Sequence, residues 1–132
     1  MPGMTEATME QLLRADGWPL ERVDGKTWRS GFRGEGERFP LYLRLTANWL
    51  YLSVVPFVTV PEQAAAELAL LRRLMVLNRE MNLAKFGLER REIVLTVELP
   101  TESLVWSELK DGLDALSFYA LTHHPELQAL AR

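Results

Sequence analysis

Leu41-Tyr42-Leu43-Arg44-Leu45-Thr46-Ala47-Asn48-Trp49-Leu50-Tyr51-Leu52-Ser53-Val54 is the stretch that decides the fold. Successive side chains of a strand point to opposite faces, so every second residue shares a side. Leu41, Leu43 and Leu45, then Leu50, Leu52 and Val54, define one apolar face. Between the two runs, Ala47-Asn48 predicts a tight connection, because Asn tolerates left-handed backbone geometry. The stretch therefore reads as an antiparallel pair of strands. Its other face receives Tyr42, Arg44, Trp49 and Tyr51.

Working outward, the same period of two continues upstream. Trp28, Ser30 and Phe32 alternate with Thr27, Arg29 and Arg33, and Gly34-Glu35-Gly36-Glu37 is a turn. A three-stranded meander results. Before it, Thr5 to Ala15 reads as a short amphipathic helix with Thr5 or Thr8 as cap, Met9, Leu12 and Leu13 on one face, and Asp16-Gly17 as its stop. Trp18-Pro19 then leaves in an extended conformation, since the residue before proline avoids the α region.

Downstream, Pro61 is expected at the start of a helix from about Glu62 to Arg79. Its apolar residues cover more than the arc of about 100° that packing on one sheet requires. A second copy of the chain would cover the excess. Leu70, Leu74 and Leu77 are accordingly expected at the interface of a two-fold homodimer. Strands follow at Leu83–Leu88 and Glu92–Leu99, joined by Glu89-Arg90-Arg91. Pro100 and Thr101 introduce a last helix, with Thr101 as N-cap and Glu102 near the positive end of the dipole. Val105, Leu109, Leu113, Leu116 and Tyr119–Ala120 form its buried stripe, and His123-His124-Pro125 should end it. The prediction is one α+β domain over residues 1–132: an antiparallel sheet with helices packed on one face, in the order α-β-β-β-α-β-β-α.

Composition narrows the function. With 132 residues, 48% apolar and 25% charged, the chain can fold as an ordinary single domain. The net charge of −3, with basic residues scattered among acidic ones, supplies no basic arm for nucleic acid or anionic membrane. There is no cysteine, which removes disulfides, thiol nucleophiles and Cys-ligated metals. Met1 to Gly17 lacks the pattern of a signal peptide, and the apolar run Trp49–Val60 is too short and too interrupted to span a bilayer. A cytoplasmic location without membrane attachment is the expectation.

No catalytic, metal or cofactor site emerges. Adjacent helical side chains diverge by about 100°, so His123 and His124 do not converge on one ion, and a helix C-terminus is a favourable place for them in any case. Glu35 and Glu37 lie in an exposed turn with nothing to desolvate them, and Gly31, Gly34 and Gly36 lack the spacing of a phosphate loop. Ser103, Ser107 and Ser117 have no base partner. A base-stacking platform is disfavoured because alternation separates Trp28 and Phe32 from Arg29 and Arg33. The face of Tyr42, Arg44, Trp49 and Tyr51 has the composition of a protein-binding hot spot, set against plain cross-strand packing.

Gly17-Trp18 through Pro56, the stretch Leu77-Asn78-Arg79-Glu80-Met81-Asn82-Leu83-Ala84-Lys85-Phe86-Gly87-Leu88, Ile93 to Pro100, and Leu113 to Tyr119 together carry a family resemblance. The chain resembles the YbjN family, whose fold is that of class I type III secretion chaperones. The resemblance implies a homodimer that engages a partner polypeptide without ATP. It offers no catalytic residues to carry over. The expected function is a non-enzymatic, chaperone-like adaptor or regulator that binds protein; the alternative is a regulator that binds nucleic acid or a small ligand.

Overall fold

The computed structural model describes residues 4–132. The alternating stretch forms two adjacent strands, β3 (Glu37–Leu45) and β4 (Trp49–Thr59), paired in the register Leu41–Val54, Leu43–Leu52 and Leu45–Leu50. Taking β1 as Glu21–Asp24, β2 as Thr27–Gly34, β5 as Ala84–Glu89 and β6 as Glu92–Pro100, the sheet runs β1-β2-β3-β4-β6-β5 and every pairing is antiparallel. The expected meander is present. Four-residue β1 precedes it and extends the sheet at that edge.

Helices α1 (Glu6–Ala15), α2 (Ala64–Glu80) and α3 (Trp106–Leu130) complete the chain. The inward residues Leu41, Leu43, Leu52, Val54, Leu95 and Val97 are buried with Leu109, Leu113, Leu116 and Ala120 of α3. Met9 and Leu13 of α1 join the same core, and Glu10 accepts a hydrogen bond from Trp28 Nε1 at 2.8 Å. Leu121 of α3 packs onto Gly34: a Cβ there would stand 2.1 Å from Leu121 Cδ2, so that side chain would have to shift. Glu35 and Gly36 both have positive φ, as a two-residue hairpin loop requires.

Several boundaries differ from the sequence reading. Thr5 is the cap of α1, its hydroxyl accepting from the Thr8 N–H at 3.1 Å. Pro61, however, lies before α2, whose N-cap is Gln63. Thr101 does not cap α3: its hydroxyl donates to the Ala47 carbonyl at 2.8 Å, which pins the β3–β4 connection, and Val105 is the N-cap. Asn48 is not left-handed; the connection closes instead through Thr46 N–H to the Trp49 carbonyl at 2.8 Å. Nor does Pro125 end α3. The helix continues through it to Leu130, and buried Leu127 shows why: the last turns still contribute apolar side chains to the core. Tertiary burial outweighs the local penalty of a helical proline.

Candidate functional site

All three helices contribute to the inner side of the sheet, and the opposite face carries the partners of the leucine pattern. Tyr42 and Arg44 of β3 and Trp49 and Tyr51 of β4 stand together there, with Arg44 directly across from Tyr51. Trp49 is 42% exposed, whereas the next residue, Leu50, is fully buried. The loop that presents Trp49 is held at both ends. Trp49 N–H donates to Thr46 Oγ1 at 3.0 Å, and Thr101 N–H donates to the Asn48 carbonyl at 3.0 Å.

Strand register extends this face sideways. One row reads Arg29–Tyr42–Ser53–Thr96–Lys85, and the next reads Arg44–Tyr51–Glu98. Ser53 and Thr96 share a hydroxyl hydrogen bond of 3.2 Å in the middle of the first row. Arg29 lies beside the Tyr42 hydroxyl and the Glu21 carboxylate, which both raise its pKa, Tyr42 the more strongly. Two open depressions border the aromatics. One, of about 580 Å³, is lined by Pro19, Leu20, Arg29, Arg38, Pro40 and Tyr42 among others. The other, of about 780 Å³, lies between Lys26, Thr46, Trp49 and Pro100. At its rim, hydrogen bonds from Lys26 and Arg22 hold the Glu6 carboxyl below its usual pKa.

The sheet edges are less available than the face. On β5, Asn78 of α2 occupies both main-chain groups of Phe86, and Ala84 N–H donates to the Asn82 carbonyl at 2.7 Å. Lys85 is drawn away to the carbonyls of Asn78 and Met81 at the C-terminal end of α2, where a cation complements the helix dipole. The other edge, β1, is only four residues long. Short or capped edges are how sheets avoid unplanned pairing.

The structure separates the two groups of candidate residues. Tyr42, Arg44, Trp49 and Tyr51 share one accessible face. Leu70, Leu74 and Leu77 do not form a surface: they are 0%, 6% and 1% exposed inside the single chain. Their i, i+4, i+7 spacing is the stripe that α2 turns toward the core. The apolar surface of α2 is instead Leu68, Met75 and Val76, with Met75 72% exposed. The wide arc was legible in the sequence, but which part of it faced inward was not.

His123 and His124 lie within α3, so the expected role at a helix end does not apply. His124 packs edge-on against Phe39 and Phe57, both at 5.2 Å. His123 stacks on Tyr119 at 6.0 Å, and burial lowers its pKa. Among the described residues no cluster of three or more His, Asp or Glu side chains could hold a metal ion, and no helix is long and apolar enough to cross a membrane. Sequence reasoning missed Arg38 and Glu98 as members of the outer face. Alternation assigns each to a side of its strand, but only register places Arg38 opposite Arg33 and Glu98 opposite Tyr51.

Residues 38–132, from β3 through α3, match the family described as "T3SS (YopN, CesT) and YbjN peptide-binding chaperone 1". No curated protein sequence matches the chain. Among solved structures, YbjN from E. coli superposes with a TM-score of 0.64 at 14% identity, covering 93% of each chain. A chain of the ExsC–ExsE complex gives 0.64 at 17%, covering 92% of this chain and 94% of that one. A chain of the heterodimeric ExoU–SpcU complex from the type III secretion system of Pseudomonas aeruginosa gives 0.64 at 18%, covering 94% and 98%. At these identities the likeness to the solved structures is one of fold.

Proposed function

We infer the function from one premise: the chain belongs to the family of T3SS (YopN, CesT) and YbjN peptide-binding chaperones. It is a protein-binding domain that holds an extended segment of a partner polypeptide across the outer face of its sheet. It acts as a chaperone-like adaptor in the cytoplasm, without catalysis and without a cofactor. The observation that carries this reading is the helix-free face on which Tyr42, Trp49 and Tyr51 gather beside Arg44. Large amphipathic aromatics with arginine are what binding hot spots are made of. Alternating side chains of an extended segment suit such a face.

Selection of random peptides on the immobilised protein tests this. Peptides chosen by the wild type should bind Trp49→Ala at least about thirtyfold more weakly. Equal affinity for the Trp49→Ala and Tyr51→Ala proteins would remove the face from consideration.

The working unit in this proposal is a homodimer. Leu68, Met75 and Val76 on α2 leave an apolar strip at i, i+7 and i+8 that one chain does not cover. A second copy covering it would bury surface that monomers rarely leave contiguous. Light scattering should return about twice the 15.1 kDa of the chain.

A further inference from the structure

Four arginines stand on the β2–β3 half of the outer face: Arg29, Arg33, Arg38 and Arg44. Arg29 is paired with Glu21. Among the described residues the other three have no carboxylate within ion-pair distance, although the charge of Arg44 is felt by Asp24, and all three are exposed. Arg33 and Arg38 are moreover direct cross-strand partners. Like charges facing each other across two strands destabilise the pair. The chain as a whole carries −3, so this concentration runs against its overall charge.

Gly31 adds a detail. Arg38 reaches over β2 here: its Nε lies 3.9 Å from where a Cβ of Gly31 would stand, an ordinary contact distance. Among the arginines the same face carries Pro40 and Tyr42, and beyond them it runs through Tyr51 to Glu98 and Glu92 on β6.

We propose that the β2–β3 half of this face is an acidic-peptide site. Arg33, Arg38 and Arg44 take the carboxylates of one extended partner segment, whose apolar side chains lie on Pro40, Tyr42 and Tyr51. This deepens the peptide-binding reading above and rests on it. From Arg38 to Arg44 is six residues of strand, roughly 20 Å, which an extended peptide of about seven residues spans. Guanidinium forks match carboxylates in bidentate geometry. A nucleic acid fits less well. Its continuous run of phosphates, extended across the sheet, would meet Glu98 and Glu92, whereas a short acidic segment stays on the arginine half.

Fluorescence anisotropy with four probes tests the site. The probes are a dodecapeptide alternating aspartate with valine and tyrosine, the same peptide with asparagine for aspartate, the same with lysine, and an oligothymidylate. Each is titrated at low and at physiological salt against wild type, Arg33→Gln/Arg38→Gln and Trp49→Ala. The expected result is at least about tenfold tighter binding of the aspartate peptide than of the asparagine one, a preference lost in the double variant and weakened by salt. Equal binding of the aspartate and asparagine peptides, unchanged in the double variant but weakened by Trp49→Ala, overturns the acidic preference and leaves the peptide-binding reading standing. No binding of any peptide overturns both. An oligothymidylate that outbinds every peptide, and is lost in the double variant, overturns the acidic peptide in favour of nucleic acid. All three residues replaced are exposed, and equal thermal midpoints of the variants establish that they are folded.

Discussion

The Asn78 side chain holds both main-chain polar groups of Phe86: Nδ2 donates to the Phe86 carbonyl at 3.0 Å, and the Phe86 N–H donates to Oδ1 at 2.7 Å. One amide of α2 thus takes the place that a neighbouring strand would occupy at the β5 edge. Phe86 itself is buried beside Phe57, at a ring separation of 5.6 Å, so the two bonds also fix a core side chain.

Replacing Asn78 by Leu leaves two edge groups without partners. The expected loss is about 1–3 kcal/mol, read from the midpoint of urea unfolding. The freed edge should also raise self-association, visible as concentration-dependent light scattering. An unchanged midpoint would mean that water replaces the amide at no cost.

Trp49→Ala and Leu43→Ala separate the two faces of the sheet. Leu43 is fully buried, and its truncation should cost about 2–5 kcal/mol. Trp49 is 42% exposed, so its truncation should cost under about 1 kcal/mol while weakening peptide binding by about 2 kcal/mol or more. A large stability loss with binding per folded molecule intact would make this face structural.

On α2, Met75→Glu and Leu74→Asp should behave differently although they are neighbours. The first places a charge on the exposed strip and is expected to return a folded monomer in light scattering and circular dichroism. The second buries an unpaired carboxylate and should abolish folding. A Met75→Glu protein that remains dimeric would remove this strip as the interface.

Stability is expected to fall as the solution is acidified toward pH 5, through His123. Burial lowers its folded pKa, so the neutral ring is favoured in the native state. Such a group contributes its stability above the unfolded value of about 6.5 and loses it as pH falls through the folded value. Glu126 opposes the shift and Arg73 adds to it. Glu6, Asp16 and Asp24 have lowered pKa values, so their stability is lost only below the ordinary carboxylate range, which leaves the window between about pH 7 and 5 to histidine. Urea midpoints at the two ends of that window should differ for wild type and converge for His123→Gln.

Arg33→Gln/Arg38→Gln should melt at the same temperature as wild type or slightly above it. The pair is opposed across β2 and β3, and removing like charges relieves repulsion. A clear drop in the midpoint would show that the arginines support the fold.

By itself the sequence determined the alternation of β3 and β4, and with it the split between buried Leu41, Leu43, Leu50 and Leu52 and the face of Tyr42, Arg44, Trp49 and Tyr51. Local chemistry was equally plain at Asp16-Gly17 and in the Gly34–Glu37 turn, while at the start of α1 it left Thr5 and Thr8 both open until the structure chose Thr5. These features depend on residues a few positions apart, where side-chain direction follows from backbone period alone. Tertiary structure decided the rest. Thr101 could serve as a cap or as a donor to Ala47, and only the approach of β6 to the β3–β4 connection chose between them. Pro125 should stop a helix, yet Leu127 gains more from the core than the proline loses. Leu70, Leu74 and Leu77 were indistinguishable in composition from Leu68 and Met75 until α2 was laid on β5 and α3. The Arg33–Arg38 opposition and the Asn78–Phe86 bonds arise from strand register and helix placement, which set distances between residues that sequence separation does not encode.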